Sequence, residues 1–279
     1  MKYLKNAFEL YLNSSIHVSL AVVSFCLISY LHYNVTIAWD LIFFIFFASV
    51  SGYNFVKYAG IAKLYHLRLA RNLRLIQIFS LLCFTGLVFF SFKLKFVSLL
   101  IVGIMGMVTF FYAFPVLSKR RNLRSLPGIK IFIIAFVWAG TTVALPLSSL
   151  PNIEFHSQFI EFTQRLLFVI VLILPFEIRD LHYDDQKLGT IPQIIGVQKT
   201  KFLGIILLCI IAVIELFQIK IIGKNILPLF ASLMLTGIFL WKSKINQKEF
   251  FSSFWVESIP IVYFVLELVS RDYFLKFFD

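Results

Sequence analysis

Acidic side chains are scarce in this chain. There are 14 Asp and Glu in 279 residues, and none lies between Asp40 and Glu154. Charge of either sign is thin, at 14% of residues, where an ordinary soluble domain carries about 25%. So few charged groups cannot cover a globular surface, which excludes a soluble enzyme. A disordered chain is excluded by the same numbers, since disorder needs low hydrophobicity and high charge. The three cysteines (Cys26, Cys83 and Cys209) lie far apart in apolar runs. They match no metal-ligand spacing and exclude a disulfide scaffold. No internal repeat, low-complexity tract or long linker divides the sequence, so residues 1–279 read as one domain. The missing repeat also argues against a transporter, whose midplane sites usually sit on broken helices in repeated halves.

Apolar residues fill the space that charge leaves. They make up 60% of the chain; aromatics reach 18%, with 34 Phe, and the mean hydropathy is +0.89. A bilayer span takes about 20 mainly apolar residues, which leaves room for about nine. The expected spans are 16–33, 37–57, 75–92, 95–114, 129–147, 163–178, 201–219, 226–241 and 252–269. These runs are too long for barrel strands and do not alternate as strands do. No small-residue cleavage site follows the first run, so it reads as a transmembrane helix rather than a signal peptide. Only Phe92 to Lys95 separates the third span from the fourth, which predicts a tight hairpin. The expected fold is an all-α polytopic membrane protein, with nine transmembrane helices in one bundle.

The formal net charge is +12. With the N-terminus cytoplasmic, nineteen of the 26 basic residues fall on inside segments and seven (Lys93, Lys95, Arg165, Lys220, Lys224, Arg271 and Lys276) outside. That asymmetry follows the positive-inside rule. It accounts for most of the basic excess without nucleic acid.

Against the general scarcity, four acids crowd the end of the sixth span: Glu177, Asp180, Asp184 and Asp185. On a helix, residues four apart share a face with Cβ atoms about 5–6 Å apart, and Glu177 joins Asp180 and Asp184 there. Carboxylates so placed repel one another and recruit a cation, with Mg²⁺ suited to bridging carboxylates and a substrate phosphate. Pro175 is expected to loosen the helix just before the cluster. The same acids can instead form a solvated loop paired with Arg179 and Lys187.

The stretch Arg179-Asp180-x-x-x-Asp184-Asp185-x-x-x-Gly189-Thr190-Ile191-Pro192, continuing to Gly196, resembles the second aspartate-rich motif of the UbiA superfamily of intramembrane prenyltransferases. Tyr112-x-x-Pro115-x-x-x-Lys119-Arg120 is similar to a Tyr-x-x-Pro…Lys-Arg stretch in the same family. The resemblance implies nine helices with the N-terminus inside, and a site built from loops 2–3 and 6–7. It implies Mg²⁺ as cofactor, held by Glu177, Asp180, Asp184 and Asp185. The substrates would be a prenyl diphosphate and a hydrophobic acceptor such as an aromatic, quinone-precursor or tetrapyrrole ring. Membrane lipids surround such an enzyme, and the implied location is a bacterial inner membrane with the active side cytoplasmic. No nucleic acid and no obligate protein partner are implied.

The family's first motif, Asn-Asp-x-x-Asp, is degenerate here. Asn54 matches, but Phe55 and Tyr58 stand where the aspartates belong, and no acid lies from Lys57 to Arg74. Two readings stay open. In one, cations replace a metal: Lys57 and Asn54 act beside Asp180 and Asp184, while Arg68, Arg71, Lys119, Arg120 and Tyr112 bind the diphosphate. In the other, the chain keeps the fold and binds a lipid or quinone headgroup without ionising a substrate. Among other polar residues, Glu257 is a candidate acceptor-binding group. Glu215 and Glu267 are expected at the outer interface. His17 and His66 show no metal partner, and His182 points away from the acidic face. Most of the Phe side chains are expected to meet lipid.

Overall fold

The computed structural model describes residues 2–58, 70–114, 122–148, 150, 153–185, 188–222 and 226–271. Among the described residues there is no strand. The first helix, α1 (Lys2–Asn13), is amphipathic, and its Phe8 ring lies 5.1 Å from the rings of both Phe250 and Phe254. It meets α2 (Ile16–His32) at a 56° bend, where Ser15 takes a left-handed conformation with φ 62°. There follow α3 (Trp39–Tyr58), α4 (Ala70–Ser91), α5 (Phe96–Ala113), α6 (Lys130–Leu147), α7 (Phe155–Asp180), the short α8 (Ile191–Ile195), α9 (Val197–Ile222), α10 (Leu227–Lys242) and α11 (Phe251–Ser270).

Seven of the described helices, α3 to α7 with α9 and α11, are long and apolar enough to cross a membrane, and the bent pair α1–α2 makes an eighth candidate. α10 is apolar but has only 16 residues, about 24 Å of helix. The chain is thus an all-helical, polytopic membrane protein.

Chain neighbours pack as spatial neighbours around most of the bundle: α11 on α2, α2 on α3, α3 on α4, then α5 on α6, α6 on α7, α7 on α9, α9 on α10 and α10 on α11. α4 and α5 do not pack as the expected tight hairpin. The connection is short, but α4 packs mainly on α3, and α5 on α6. Both turn most of their surface outward, only 11% of each span being buried, with Phe84, Phe89, Phe96 and Phe110 exposed. Lipid tails are as apolar as these side chains, so no hydrophobic penalty forces the two helices together.

The core lies around α2 and α7. α2 is buried on nearly every side, and Phe25, Ile28, Leu174 and Ile178 are fully enclosed. Close approach is decided at Gly204 of α9, where an added Cβ would overlap Leu240 of α10 and come within 2.9 Å of Leu174 of α7. Pro175 does not loosen α7. The helix runs unbroken to Asp180 with the proline inside it, because Leu174, Pro175 and Ile178 are locked into the core. The irregular turns occur elsewhere. α6 widens at Gly140–Ala144, where Ser29 Oγ donates to the Thr142 carbonyl at 2.7 Å. α11 begins with wide turns, Trp255 N–H to Phe250 O at 3.3 Å and Glu257 N–H to Ser252 O at 3.2 Å. Such five-residue turns commonly mark functional positions.

Candidate functional site

The C-terminal end of α7 carries the acidic segment. Helix α7 stops at Asp180, and one further turn follows, with the Tyr183 and Asp184 N–H groups both donating to the Asp180 carbonyl at 2.8 Å. Asp184 therefore stays on the side of Asp180. The expected mutual repulsion of these acids is relieved by protein cations. Arg179 makes a two-pronged bond to Asp180, Nε to Oδ1 at 2.7 Å and Nη2 to Oδ2 at 3.1 Å. Lys130 Nζ reaches Asp184 Oδ2 at 3.3 Å. Among the described residues no group of three or more His, Cys, Asp or Glu side chains comes together as a metal site.

Glu177 differs from its neighbours. It is only 2% exposed, the Ile191 N–H bonds its carboxyl, and Lys130, Asp184 and Asp180 lie within electrostatic reach. Its Oε2 has no hydrogen-bond partner among the described residues, nor does Thr190 Oγ1 nearby in the chain. A buried acceptor left unpaired costs about 1–3 kcal/mol, so these two atoms mark a place where a bound group would add hydrogen bonds.

The loop after Asp184 is held against the 122–129 segment. Gly128 N–H donates to Leu188 O at 3.0 Å. Gly189 sits at φ 52°, and an added Cβ would lie 3.2 Å from Pro127 Cβ. Gln193 fastens the far side, accepting from Thr190 N–H at 2.9 Å and donating to Asp185 O at 3.2 Å. Asp185 itself points to an exposed surface, as do His182 and Tyr183.

Tyr112, at the end of α5, is 7% exposed and within electrostatic reach of Arg124, Asp184 and Glu177. It joins the acidic wall. Glu257, at the widened start of α11, is within reach of Lys57 and Arg179. Tyr53 accepts a hydrogen bond from Trp138 Nε1 at 2.5 Å and faces both Glu257 and Tyr112. One end of the bundle therefore assembles the ends of α3, α5 and α7, the starts of α6 and α11, and the 122–130 loop.

The degenerate motif on α3 is largely occupied by structural bonds. Both amide donors of Asn54 are engaged, to Ser14 O at 3.0 Å and to Ser80 Oγ at 2.8 Å, and Asn54 is 4% exposed. Its Oδ1 has no partner among the described residues. Tyr58 donates to Asn13 O at 2.8 Å, and Lys57 reaches Asn13 O and Oδ1 at 3.4 Å. Phe55 stacks on Phe114 with centroids 5.4 Å apart, and Phe114 stacks on Phe110. This segment ties α3 to the α1–α2 bend and leaves Asn54 no N–H for a diphosphate. Lys57 remains exposed and is the motif's cation. Arg68, Lys119 and Arg120 lie outside the described residues, as does the side chain of Arg71.

Sequence reasoning missed Lys130 and Arg124 as site residues. A signal was present. Lys130 opens an apolar helix, where the helix dipole disfavours a cation, so an acidic partner was implied.

No family model matches the sequence, and no characterised protein matches it by sequence. A solved structure of a digeranylgeranylglyceryl phosphate synthase in membranes matches by fold over 97% of this chain and 100% of that one. The TM-score is 0.57 and the identity 17%. The chain shares the fold of that structure. At that identity the likeness is one of architecture, and the chemistry rests on the residues above.

Proposed function

We propose that the chain is a membrane prenyltransferase. It moves an isoprenoid chain from a prenyl diphosphate to a lipophilic acceptor, an aromatic, quinone-precursor or tetrapyrrole ring. The observation that carries this reading is the meeting, at one end of the bundle, of the α7 carboxylates with Lys130 and Arg179, with Lys57 within reach of Glu257 and Arg179, and Arg124 within reach of Tyr112. A prenyl diphosphate ionises only if the charge of its leaving group is neutralised as it develops. Arg179 and Lys130 already hold anions of the protein in ion pairs and can turn to a diphosphate instead. Tyr53, Tyr112, Trp138 and the Phe55–Phe114 stack offer aromatic faces to an allylic cation and exclude water from it. The acceptor then attacks as a carbon nucleophile.

Mg²⁺ fits this donor set in a limited way. Mg²⁺ needs only one or two carboxylates when substrate phosphates supply other ligands, and the unpartnered Glu177 Oε2 with Asp184 within electrostatic reach would meet that demand. Bound there, it would add charge neutralisation at the leaving group. Asp185, on the exposed side, contributes less. We further assign nine spans, with α1–α2 and α10 included, an N-terminus on the cytoplasmic side of a bacterial inner membrane and the site opening to that side.

Purified protein in lipid, given labelled prenyl diphosphates, Mg²⁺ and a panel of acceptors, should yield a prenylated acceptor, and a chelator should abolish it. No transfer with any pair, and no change in membrane lipids of cells carrying Asp184→Asn, would refute the reading. A second reading, a fold kept for binding a lipid or quinone headgroup, is favoured by the structural use of Asn54, Lys57 and Tyr58. Headgroup binding indifferent to Mg²⁺, without turnover, would establish it instead.

A further inference from the structure

A second polar cluster lies at the other end of α7, fifteen residues before Asp180, about 22 Å along the helix. Arg165 is 3% exposed, Glu161 3%, Glu215 3%, Glu267 2% and His32 7%. Arg165, Glu161, Glu215 and His32 surround a cavity of about 20 Å³, lined also by Gln164, Phe168 and Tyr263, room for a single water. The bonds are well formed. His32 Nδ1 is 3.0 Å from both Glu161 oxygens, and Nε2 is 3.2 Å from Glu267 Oε1. Arg165 donates to Glu161 Oε1 at 3.1 Å and to the Phe25 carbonyl at 2.6 Å. Arg271 donates to Glu267 Oε2 at 3.2 Å and to Leu31 O at 2.5 Å. Gln164 donates to Glu215 Oε2 at 3.0 Å.

Hydrogen-bond valence decides what this arrangement holds. An ionised carboxylate only accepts, and a neutral imidazole donates from one nitrogen alone. His32 has a carboxylate at each nitrogen, so a neutral ring would face one of them lone pair to lone pair. The hydroxyl of Tyr263, 3.3 Å from Nε2, does not remove the conflict, because Glu267 Oε1 would still face an unprotonated nitrogen. One additional proton, on the ring or on a carboxyl, resolves it. The charges agree. Among the described residues, Arg165, Arg271 and His32 with that proton balance Glu161, Glu215 and Glu267; without it these side chains sum to one negative charge among apolar helices, at high cost. The other groups facing the cluster, among the described residues, are uncharged. Tyr33, just beyond α2, brings a phenol rather than a cation within electrostatic reach of Glu161, Glu215 and Arg165. Of the described residues, α10 brings Leu229 and α6 brings the Thr142 carbonyl through Ser29.

We propose that this cluster is a dedicated site for one proton, taken from and returned to water. That proton joins α2, α7 and α11 at the end of the bundle remote from the Asp180 site. The inference is independent of prenyl transfer.

The wild-type protein in lipid nanodiscs, labelled with ¹⁵N-histidine, tests it. His32 is assigned by replacing the other four histidines one at a time, which leaves the cluster intact. The expected spectrum at neutral pH shows both His32 ring nitrogens protonated. A neutral ring with a protonated carboxyl band in the infrared, removed by Glu267→Gln or Glu161→Gln, supports the same site. A neutral ring with no protonated carboxyl overturns it. The joining role is read from Cys26, buried one helical face from Arg165, in a Cys83→Ala, Cys209→Ala background. Raising the pH until the proton leaves should speed Cys26 alkylation at least tenfold, after correction for thiolate reactivity with a free-thiol standard. Unchanged labelling while the proton departs would overturn the joining role.

Discussion

Helix α7 carries a charged cluster near each of its ends, and the two are built on different terms. At the Asp180 end the ion pairs keep water: Arg179 and Asp180 are 32% and 26% exposed, Lys130 and Asp184 15% and 18%. At the Arg165 end the paired side chains keep only 2–6%, apart from Arg271 at the rim with 16%. An ion pair in contact with water contributes about 0–1 kcal/mol, so its members can be drawn onto a ligand at little cost to the fold. A buried pair cannot be so redirected, because removing one member leaves an uncompensated charge. The difference teaches which cluster is free to do chemistry and which holds helices together.

The largest effect expected from this contrast is at the buried end. Glu161→Ala leaves Arg165 without its carboxylate and His32 with Glu267 alone, and should destabilise the protein by about 3–5 kcal/mol, read from the unfolding midpoint in detergent. A change below about 1 kcal/mol would erase the distinction between the clusters. Next comes Asp184→Asn at the open end. It should lower prenyl transfer by about 100-fold or more, as loss of one electrostatic group in a site does, while the unfolding midpoint barely moves. If both fall together, the open cluster is structural as well.

Asn54→Ala tests the degenerate motif. Two buried hydrogen bonds would go, leaving Ser14 O and Ser80 Oγ short of a donor, with a loss of about 1–3 kcal/mol and a transfer rate that follows folded protein. A fall in rate per folded molecule would restore Asn54 to the site. Gly189→Ala, at φ 52° and against Pro127, should cost about 1–2 kcal/mol and raise the KM for the diphosphate by disturbing the loop. Smallest is Lys93→Ala. Lys93 and Asp40 pair at 3.1 Å but are 45% and 53% exposed, so stability should change by less than about 1 kcal/mol.

Much of the open end was legible in the sequence. Glu177, Asp180 and Asp184 are near one another in the chain, and a helix period alone puts them on one side. Glu257 was recognisable as a candidate for the same reason that any carboxylate in an apolar run is. Lys130 escaped notice because its partner lies 54 residues away. The buried end escaped almost wholly. His32 meets Glu161 across 129 residues and Glu267 across 235, distances at which no spacing rule operates. Glu215 and Glu267 were expected at the interface, and Arg165 was counted among loop charges. Each lies instead inside the bundle, where a partner from another helix replaces the water it would otherwise need. Pro175 shows the converse error: its local tendency to loosen a helix is overridden by the core packed around it.

Composition and hydrophobic runs were enough to determine that this chain lies in a membrane as a helical bundle, because the bilayer leaves apolar helices as the form in which such runs satisfy their own backbone. Local spacing was enough to locate the acidic segment. Only the tertiary structure decided which charges pair, which remain open to a ligand, and that a histidine on one helix is held between carboxylates from two others. Electrostatic partnership depends on distance in space, and in a bundle that distance is set by which helices pack side by side.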